Sequence, residues 1–316
     1  MMWETFPKRV HIQDVVTRDG LQIEPRFLPT ETKIALIDAL SQTGVSKIEV
    51  TSFVSPKAVP NLADATEVAR AIKRRPGVTY VALVPNLRGA QAALDARMDE
   101  LNLVLSVSET HNLANMRMTP AQSLDAFRAI VAAAHGTPAT LNGTIATAFG
   151  CPFEGSQPEA KVLGLVERYL SIGLDSVTLA DTTGMANPRQ VSSLVAAVRR
   201  QFGAVPLTLH FHNTRGMGLA NVVVALDAGA DRFDASLGGI GGCPFAPGAT
   251  GNISTEDLVH MLEEMGLDTG VDLGRLLELA RSLPALLGHD IAGQVAKAGR
   301  SGDLHPAPAD IRRTAT

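Results

Sequence analysis

The chain is poor in several features that would place it in large protein classes. Its 316 residues hold two cysteines, Cys151 and Cys243, one tryptophan, and only 4% aromatic residues. Two cysteines make no disulfide framework, so the expected setting is a reducing compartment, with the cytoplasm as the default. No apolar run reaches the ~20 residues a membrane-spanning helix needs, which argues against a membrane partner. The net charge of −4 and the lack of a dense Lys/Arg cluster argue against nucleic acid. Lys73-Arg74-Arg75 reads as the solvated end of a helix. The first residues show neither a secretory h-region nor an Arg-rich transit pattern, and the last show no lipidation signal. Also missing is a Gly-rich dinucleotide fingerprint in the first strand-to-helix turn.

What is present is 45% hydrophobic residues, which predicts a core of Ala, Val, Leu and Ile. Short apolar runs alternate with helical patterns along most of the chain. Strands are expected near 10–16, 47–51, 80–84, 100–106, 140–146, 176–180, 207–211 and 232–236. Helices are expected near 30–43, 63–74, 87–96, 121–135, 159–172, 188–200, 218–228 and 255–266. Gly44, Gly173, Gly229 and Gly266 fall where helices should stop, and Thr119-Pro120 and Asn187-Pro188 read as a cap followed by proline in the first turn. Eight strand-helix units over about 250 residues predict a (β/α)8 TIM barrel at 10–266 in a single domain spanning 1–300. Extra helices near 272–287 and 291–298 flank the barrel, and the tail from Ser301 to Thr316 is expected to be mobile.

In such a barrel the chemistry sits at the C-terminal ends of the strands. Arg18-Asp19-Gly20 would follow the first strand, Glu49 would lie in the second, and Asp181 would end the sixth. His210 and His212 end the seventh, two apart on a strand and therefore on one face. Cys243 and Asn252 lie in the Gly-rich loop after the eighth. One carboxylate and two imidazoles, Asp19, His210 and His212, suit a divalent metal with open positions, and Asn252 can add a carbonyl oxygen. A ligand set without thiolate fits Mg²⁺ or Mn²⁺ better than Zn²⁺. The plainer alternatives are an Asx-turn at Asp19, a structural Arg18–Glu49 ion pair, and histidines satisfied in the core. Cys151 reads as a buried small residue in the turn after the fifth strand.

Thr17-Arg18-Asp19-Gly20-Leu21-Gln22, the Ile48-Glu49-Val50-Thr51-Ser52-Phe53-Val54 run, Phe149-Gly150-Cys151-Pro152-Phe153-Glu154-Gly155, His210-Phe211-His212, and the loop from Gly241-Gly242-Cys243-Pro244-Phe245 to Gly251-Asn252 together resemble the 3-hydroxy-3-methylglutaryl-CoA lyases. The resemblance covers about 10–273, and the Cys-containing loop is its specific part. Arg-Asp-Gly and His-x-His are shared with a wider superfamily of metal-dependent lyases and Claisen-type synthases. The resemblance implies a metal-dependent lyase that cleaves 3-hydroxy-3-methylglutaryl-CoA to acetyl-CoA and acetoacetate. It implies Asp19, His210, His212 and Asn252 as metal ligands, Arg18 facing the thioester oxygen, Cys243 as proton donor, and Glu49 and Asp181 as supporting acids. Asp19 and His210 are the candidates for the base. It also implies a homodimer or higher homo-oligomer.

Two departures bear on the substrate. Asn213-Thr214-Arg215-Gly216 stands where these lyases carry Asp-Thr-Tyr-Gly, and Pro25-Arg26 stands near a customary lysine. Gln22 and Arg215 are therefore expected to contact substrate, and Arg215 can select another acyl carboxylate, as in citramalyl-CoA. Arg26, Lys57, Arg88 and Arg117 are candidate partners of the coenzyme A phosphates. A condensing synthase ranks lower, since those enzymes carry a long C-terminal region, and a catalytically silent barrel remains as a non-enzymatic alternative.

Overall fold

A computed structural model describes residues 5–242 and 251–306. Eight parallel strands close into a barrel: β1 (His11–Asp14), β2 (Lys47–Ser52), β3 (Thr79–Leu83), β4 (Glu100–Ser106), β5 (Thr140–Ala146), β6 (Ser176–Asp181), β7 (Leu207–Phe211) and β8 (Arg232–Ala235). Each pairs with its neighbours in sequence, and β8 closes onto β1 with Asp14 opposite Ala235. Helices α1 (Thr30–Leu40), α2 (Ala65–Ala71) and α3 (Leu87–Asp95) follow the first three strands. After β4 come α4 (Glu109–Met116) and α5 (Pro120–Ala134), then α6 (Glu159–Ile172), α7 (Pro188–Phe202), α8 (Gly218–Asp227) and α9 (Thr255–Glu264), one after each later strand. The flanking helices are α10 (Leu273–Leu287) and α11 (Val295–Ala298).

The expected punctuation is in place. Thr119 caps α5 with a reciprocal capping box to Gln122, and Asn187 caps α7 by accepting from Gln190 N. Three features depart from expectation. First, β1 is shorter than 10–16, because the chain turns at Val15 into a single π-turn, Val16–Gly20. Second, the helix expected at 63–74 ends at Ala71, and Ile72 is extended. Lys73, Arg74 and Arg75 are exposed as expected but lie beyond the helix, not at its end. Arg74 Nη2 donates to Ala96 O at 3.1 Å and its guanidinium lies 5.4 Å from the Tyr80 ring centre. Third, α4 and a two-strand hairpin, Gly150–Cys151 with Gly155–Ser156, were not expected. The buried face of α4 is polar, His111 and Asn112, so no apolar period marks it.

The strands divide the interior into two media. Alternate residues point outward, and Ile12, Ile48, Tyr80, Leu101, Leu103, Leu141, Val177, Leu209 and Phe233 pack as a buried apolar layer beneath the helices. The inward residues are largely polar, unlike the branched apolar layers usual in such barrels. Gln13 Nε2 donates to Thr208 Oγ1 at 3.1 Å, and Lys47 Nζ donates to both Glu100 oxygens at 2.7 Å. The outer layer is tight. Tyr169 of α6 is fully buried and its hydroxyl donates to Thr144 O at 3.0 Å. A Cβ on Gly143 would fall 2.3 Å from that ring. Gly143→Ala is therefore expected to destabilise the fold by about 1–3 kcal/mol, read as a lower urea midpoint with unchanged slope.

Candidate active site

The π-turn after β1 builds the first wall of the site. Asp14 Oδ1 accepts from Val16 N at 2.8 Å, and Val15 O accepts from the amides of Arg18, Asp19 and Gly20 at 3.2, 2.9 and 3.1 Å. This wide, under-wound turn brings Arg18 and Asp19 back over the barrel mouth; π-turns of this kind recur at functional sites. Arg18 Nε donates to Glu49 Oε2 at 2.5 Å and Nη1 donates to Asp19 Oδ1 at 2.9 Å. Glu49 sits where the pairing of β2 with β3 shifts register, and its Oε1 accepts from Asn102 Nδ2 at 2.8 Å.

Across the mouth, His210 of β7 and His212 just beyond it turn their Nε2 atoms toward one another at 3.1 Å. His210 Nδ1 lies 3.2 Å from Asp234 Oδ2 on β8. A carboxylate at that distance favours the tautomer with the proton on Nδ1, which turns the Nε2 lone pair toward His212. Asp19 Oδ2 is 3.8 Å from His212 Nε2. Asp19, His210 and His212 offer one ligand atom each within 4.8 Å of one another, and all three are buried. Facing lone pairs beside a carboxylate need a cation or a shared proton between them, so the donor set fits a divalent ion. Asn252 adjoins this cluster with Nδ2 donating to Asp19 Oδ2 at 2.7 Å and to Ile240 O at 3.1 Å. Its Oδ1 is buried with no partner among the described residues, an acceptor that a cation would satisfy. The amide thus spends its nitrogen on Asp19 and leaves its carbonyl oxygen, the expected ligand atom, without a partner among the described residues. Gly241 has to be glycine: its φ is +108°, and a Cβ would lie 2.8 Å from Asn252 Nδ2.

The acids divide by environment. Burial works to raise Asp19, but the charges of Arg18, His212 and His210 and the Asn252 bond outweigh it and hold the group below its usual range. Burial dominates at Glu49 and pushes it up, against the opposing pull of Arg18 and Asn102. Burial likewise pushes Asp181 up to about 7. Its Oδ1 accepts from the amides of Met185 and Ala186 at 2.8 and 2.9 Å, and its Oδ2 has no partner among the described residues. Burial lowers His210, but the bond and charge of Asp234 raise it above its ordinary value.

The other expected site residues lie at the rim or beyond it. Arg215 is exposed, and its Nη1 donates to Thr183 O at 3.1 Å and Gly184 O at 2.8 Å, tying the loop after β7 to the loop after β6. The Gln22 side chain is half-buried and makes no hydrogen bond among the described residues. Arg26, Lys57, Arg88 and Arg117 are exposed. Cys151 is buried in the hairpin, and its thiol donates to Ser108 Oγ at 3.0 Å. Cys243 lies outside the described residues. Sequence reading missed Asp234 and Asn102; both stand at inward strand positions, and alternation from His210 and Glu49 would have drawn attention to them.

Residues 9–283 match the HMGL-like family. The chain belongs to this family. It is 46% identical over 283 residues to the hydroxymethylglutaryl-CoA lyase YngG of Bacillus subtilis, covering 90% of this chain and 95% of that protein. The mitochondrial hydroxymethylglutaryl-CoA lyase of Homo sapiens is 42% identical over 294 residues, covering 93% and 90%. Among solved structures, an HMG-CoA lyase from Acenitobacter baumannii is 59% identical, with a TM-score of 0.93 over 95% of this chain and 98% of that one. For this HMGL-like chain, Asp234→Asn is expected to weaken Mn²⁺ binding about 10–100-fold by loosening His210. Titration of the metal-free protein followed by electron paramagnetic resonance of free Mn²⁺ measures this; unchanged affinity would remove Asp234 from the site.

Proposed function

We propose that the protein is a divalent-metal-dependent carbon-carbon lyase that cleaves 3-hydroxy-3-methylglutaryl-CoA to acetyl-CoA and acetoacetate. The observation that carries this reading is the Asp19–His210–His212 cluster set beside the Glu49-anchored Arg18 at one barrel mouth. Mg²⁺ or Mn²⁺ held by Asp19, His210 and His212, with Asn252 adjoining, would lower the pKa of the substrate's C3 hydroxyl.

In this reading the hydroxyl proton leaves toward Asp19 or His210 as C3 becomes a carbonyl and the C2–C3 bond breaks. The bonding electrons pass into the thioester as an enolate. Arg18, charged and pinned on two sides, faces the developing oxyanion with a cost of orientation already met in folding. Cys243 then gives its thiol proton to C2, which completes acetyl-CoA and leaves a thiolate to be reprotonated. Asp181, whose carboxyl burial pushes up to about 7, supports the loop that Arg215 ties down.

A second substrate of the same class has its own support. Arg215 keeps Nε and Nη2 without partners among the described residues and stands exposed at the rim, able to meet a carboxylate. The relative from A. baumannii is in complex with coenzyme A and 3-methylmalate, a hydroxy dicarboxylic acid. Citramalyl-CoA, whose acid is a positional isomer of 3-methylmalate, is the alternative of this hydroxy dicarboxylic class.

The test is product analysis by mass spectrometry after incubation with either thioester, with Mg²⁺ and with EDTA. Acetyl-CoA and acetoacetate that appear with Mg²⁺ and vanish with EDTA are expected from the first. Pyruvate from the second, with little cleavage of the first, would reassign the acyl group. No cleavage of either would overturn the lyase reading. Cys243→Ala is expected to bind Mn²⁺ normally and lose at least ~100-fold in kcat, the scale of a general acid; near-normal turnover would sink the proton-donor role.

A further inference from the structure

Asn102 occupies an inward position in the middle of β4, where barrels of this type ordinarily place a branched apolar residue. It is 8% exposed and has no part in the chemistry set out above. Its orientation is dictated from both sides. Glu49 Oε1 can only accept, so the amide presents Nδ2 to it, at 2.8 Å. The opposite atom, Oδ1, accepts from Thr144 Oγ1 at 2.7 Å and from Asn142 Nδ2 at 3.0 Å. Asn142 is itself held: Nδ2 also donates to Thr178 Oγ1 at 3.0 Å, and Oδ1 accepts from Ser176 Oγ at 2.8 Å. Turning the Asn102 amide over would set an oxygen against a carboxylate and an NH₂ against the Asn142 donor.

A chain of fixed donors thus runs from β6 through β5 and β4 and ends on one oxygen of Glu49. The other oxygen takes Arg18 Nε, while Arg18 Nη1 is committed to Asp19. Nη2 is left as the guanidinium nitrogen without a partner among the described residues. The carboxylate torsion of Glu49 is soft and broad by itself. Asn102 removes that freedom, and burial of Glu49, which favours the neutral acid, is opposed by the same bond.

We infer that Asn102 is a positioning residue for the proposed cleavage: it locks Glu49, and Glu49 in turn holds Arg18 in the direction of the thioester oxygen. The inference rests on the lyase reading. It asks for an effect on the chemical step and not on metal or substrate binding, because misplacement of about 1 Å at a stabilising group can cost ~100-fold in rate.

The experiment is a double-mutant cycle in the thioester cleavage assay. Asn102→Leu removes the donor and the acceptor; Asn102→Asp keeps the shape and the acceptor and sets a carboxyl group, charged or protonated, where the donor stood. Both are expected to lower kcat about ten-fold or more, with KM and Mn²⁺ affinity within about two-fold of wild type. In a Glu49→Gln background the same Asn102 changes are expected to cost no more than about two-fold, because the group being held has already been altered. Loss of kcat that is equally large in the Glu49→Gln background, or loss carried by KM or Mn²⁺ affinity, overturns the inference. So does unchanged kcat in Asn102→Leu, the variant that has lost both hydrogen-bonding atoms. Wild type in the same assay keeps the two readings apart: an active wild type with additive variants fails the positioning role alone, whereas an inactive wild type overturns the lyase reading and this inference with it.

Discussion

Polar side chains enclosed by eight strands have little water to fall back on, so each must find its partner inside the barrel. This constraint governs the molecule. An unpaired buried donor or acceptor costs about 1–3 kcal/mol, and an unpaired buried charge costs more. The interior meets it with Gln13 on Thr208, Lys47 on Glu100, and the Asn142–Asn102–Glu49 chain. The apolar driving force is displaced outward, into the layer between strands and helices. A polar interior so satisfied holds its members rigidly, since every rotation breaks a bond that nothing replaces.

That rigidity has a use at the mouth. Arg18 and Asp19 stand on a short π-turn, a place that would otherwise tolerate motion. They are held by Glu49 from beneath and by Asn252 from the side. The acids near the mouth differ for identifiable reasons. Asp19 is surrounded by cationic or ionisable nitrogen and stays ionised, while Asp181 is buried away from full compensation and holds its proton to about 7. Carboxyls a few strands apart are thereby kept in different protonation states by burial and neighbours alone.

Much of this was legible without coordinates. The short apolar runs alternating with helical patterns, and the glycine and proline punctuation, located all eight strand-helix units, because both follow from local backbone geometry. The placement of Arg18, Asp19, Glu49, Asp181, His210 and His212 at one end follows from their positions in those units. α4 escaped notice because its hidden face is His111 and Asn112, which bury themselves by hydrogen bonding and leave no hydrophobic period. Arg74 was half read: it is exposed as expected, but the helix stops at Ala71, and its bond to Ala96 O, 22 residues on, is not visible in local sequence. The role of Arg215 was half visible, since its unusual identity showed in the sequence and its bonds to Thr183 and Gly184 did not.

By itself the sequence determined the eight-fold alternation, the parallel barrel, and the set of chemical groups at its mouth, since each is written in spacing along the chain. Only the tertiary structure decided which of those groups meet. Closure brought Asp14 opposite Ala235 and set β8 beside β7, which placed Asp234 behind His210. Packing of β4 beside β3 and β5 placed Asn102 under Glu49, a residue 53 positions earlier. Contacts of this kind depend on register and closure around the whole barrel, and a one-residue slip would have pointed each of these side chains into the apolar layer instead.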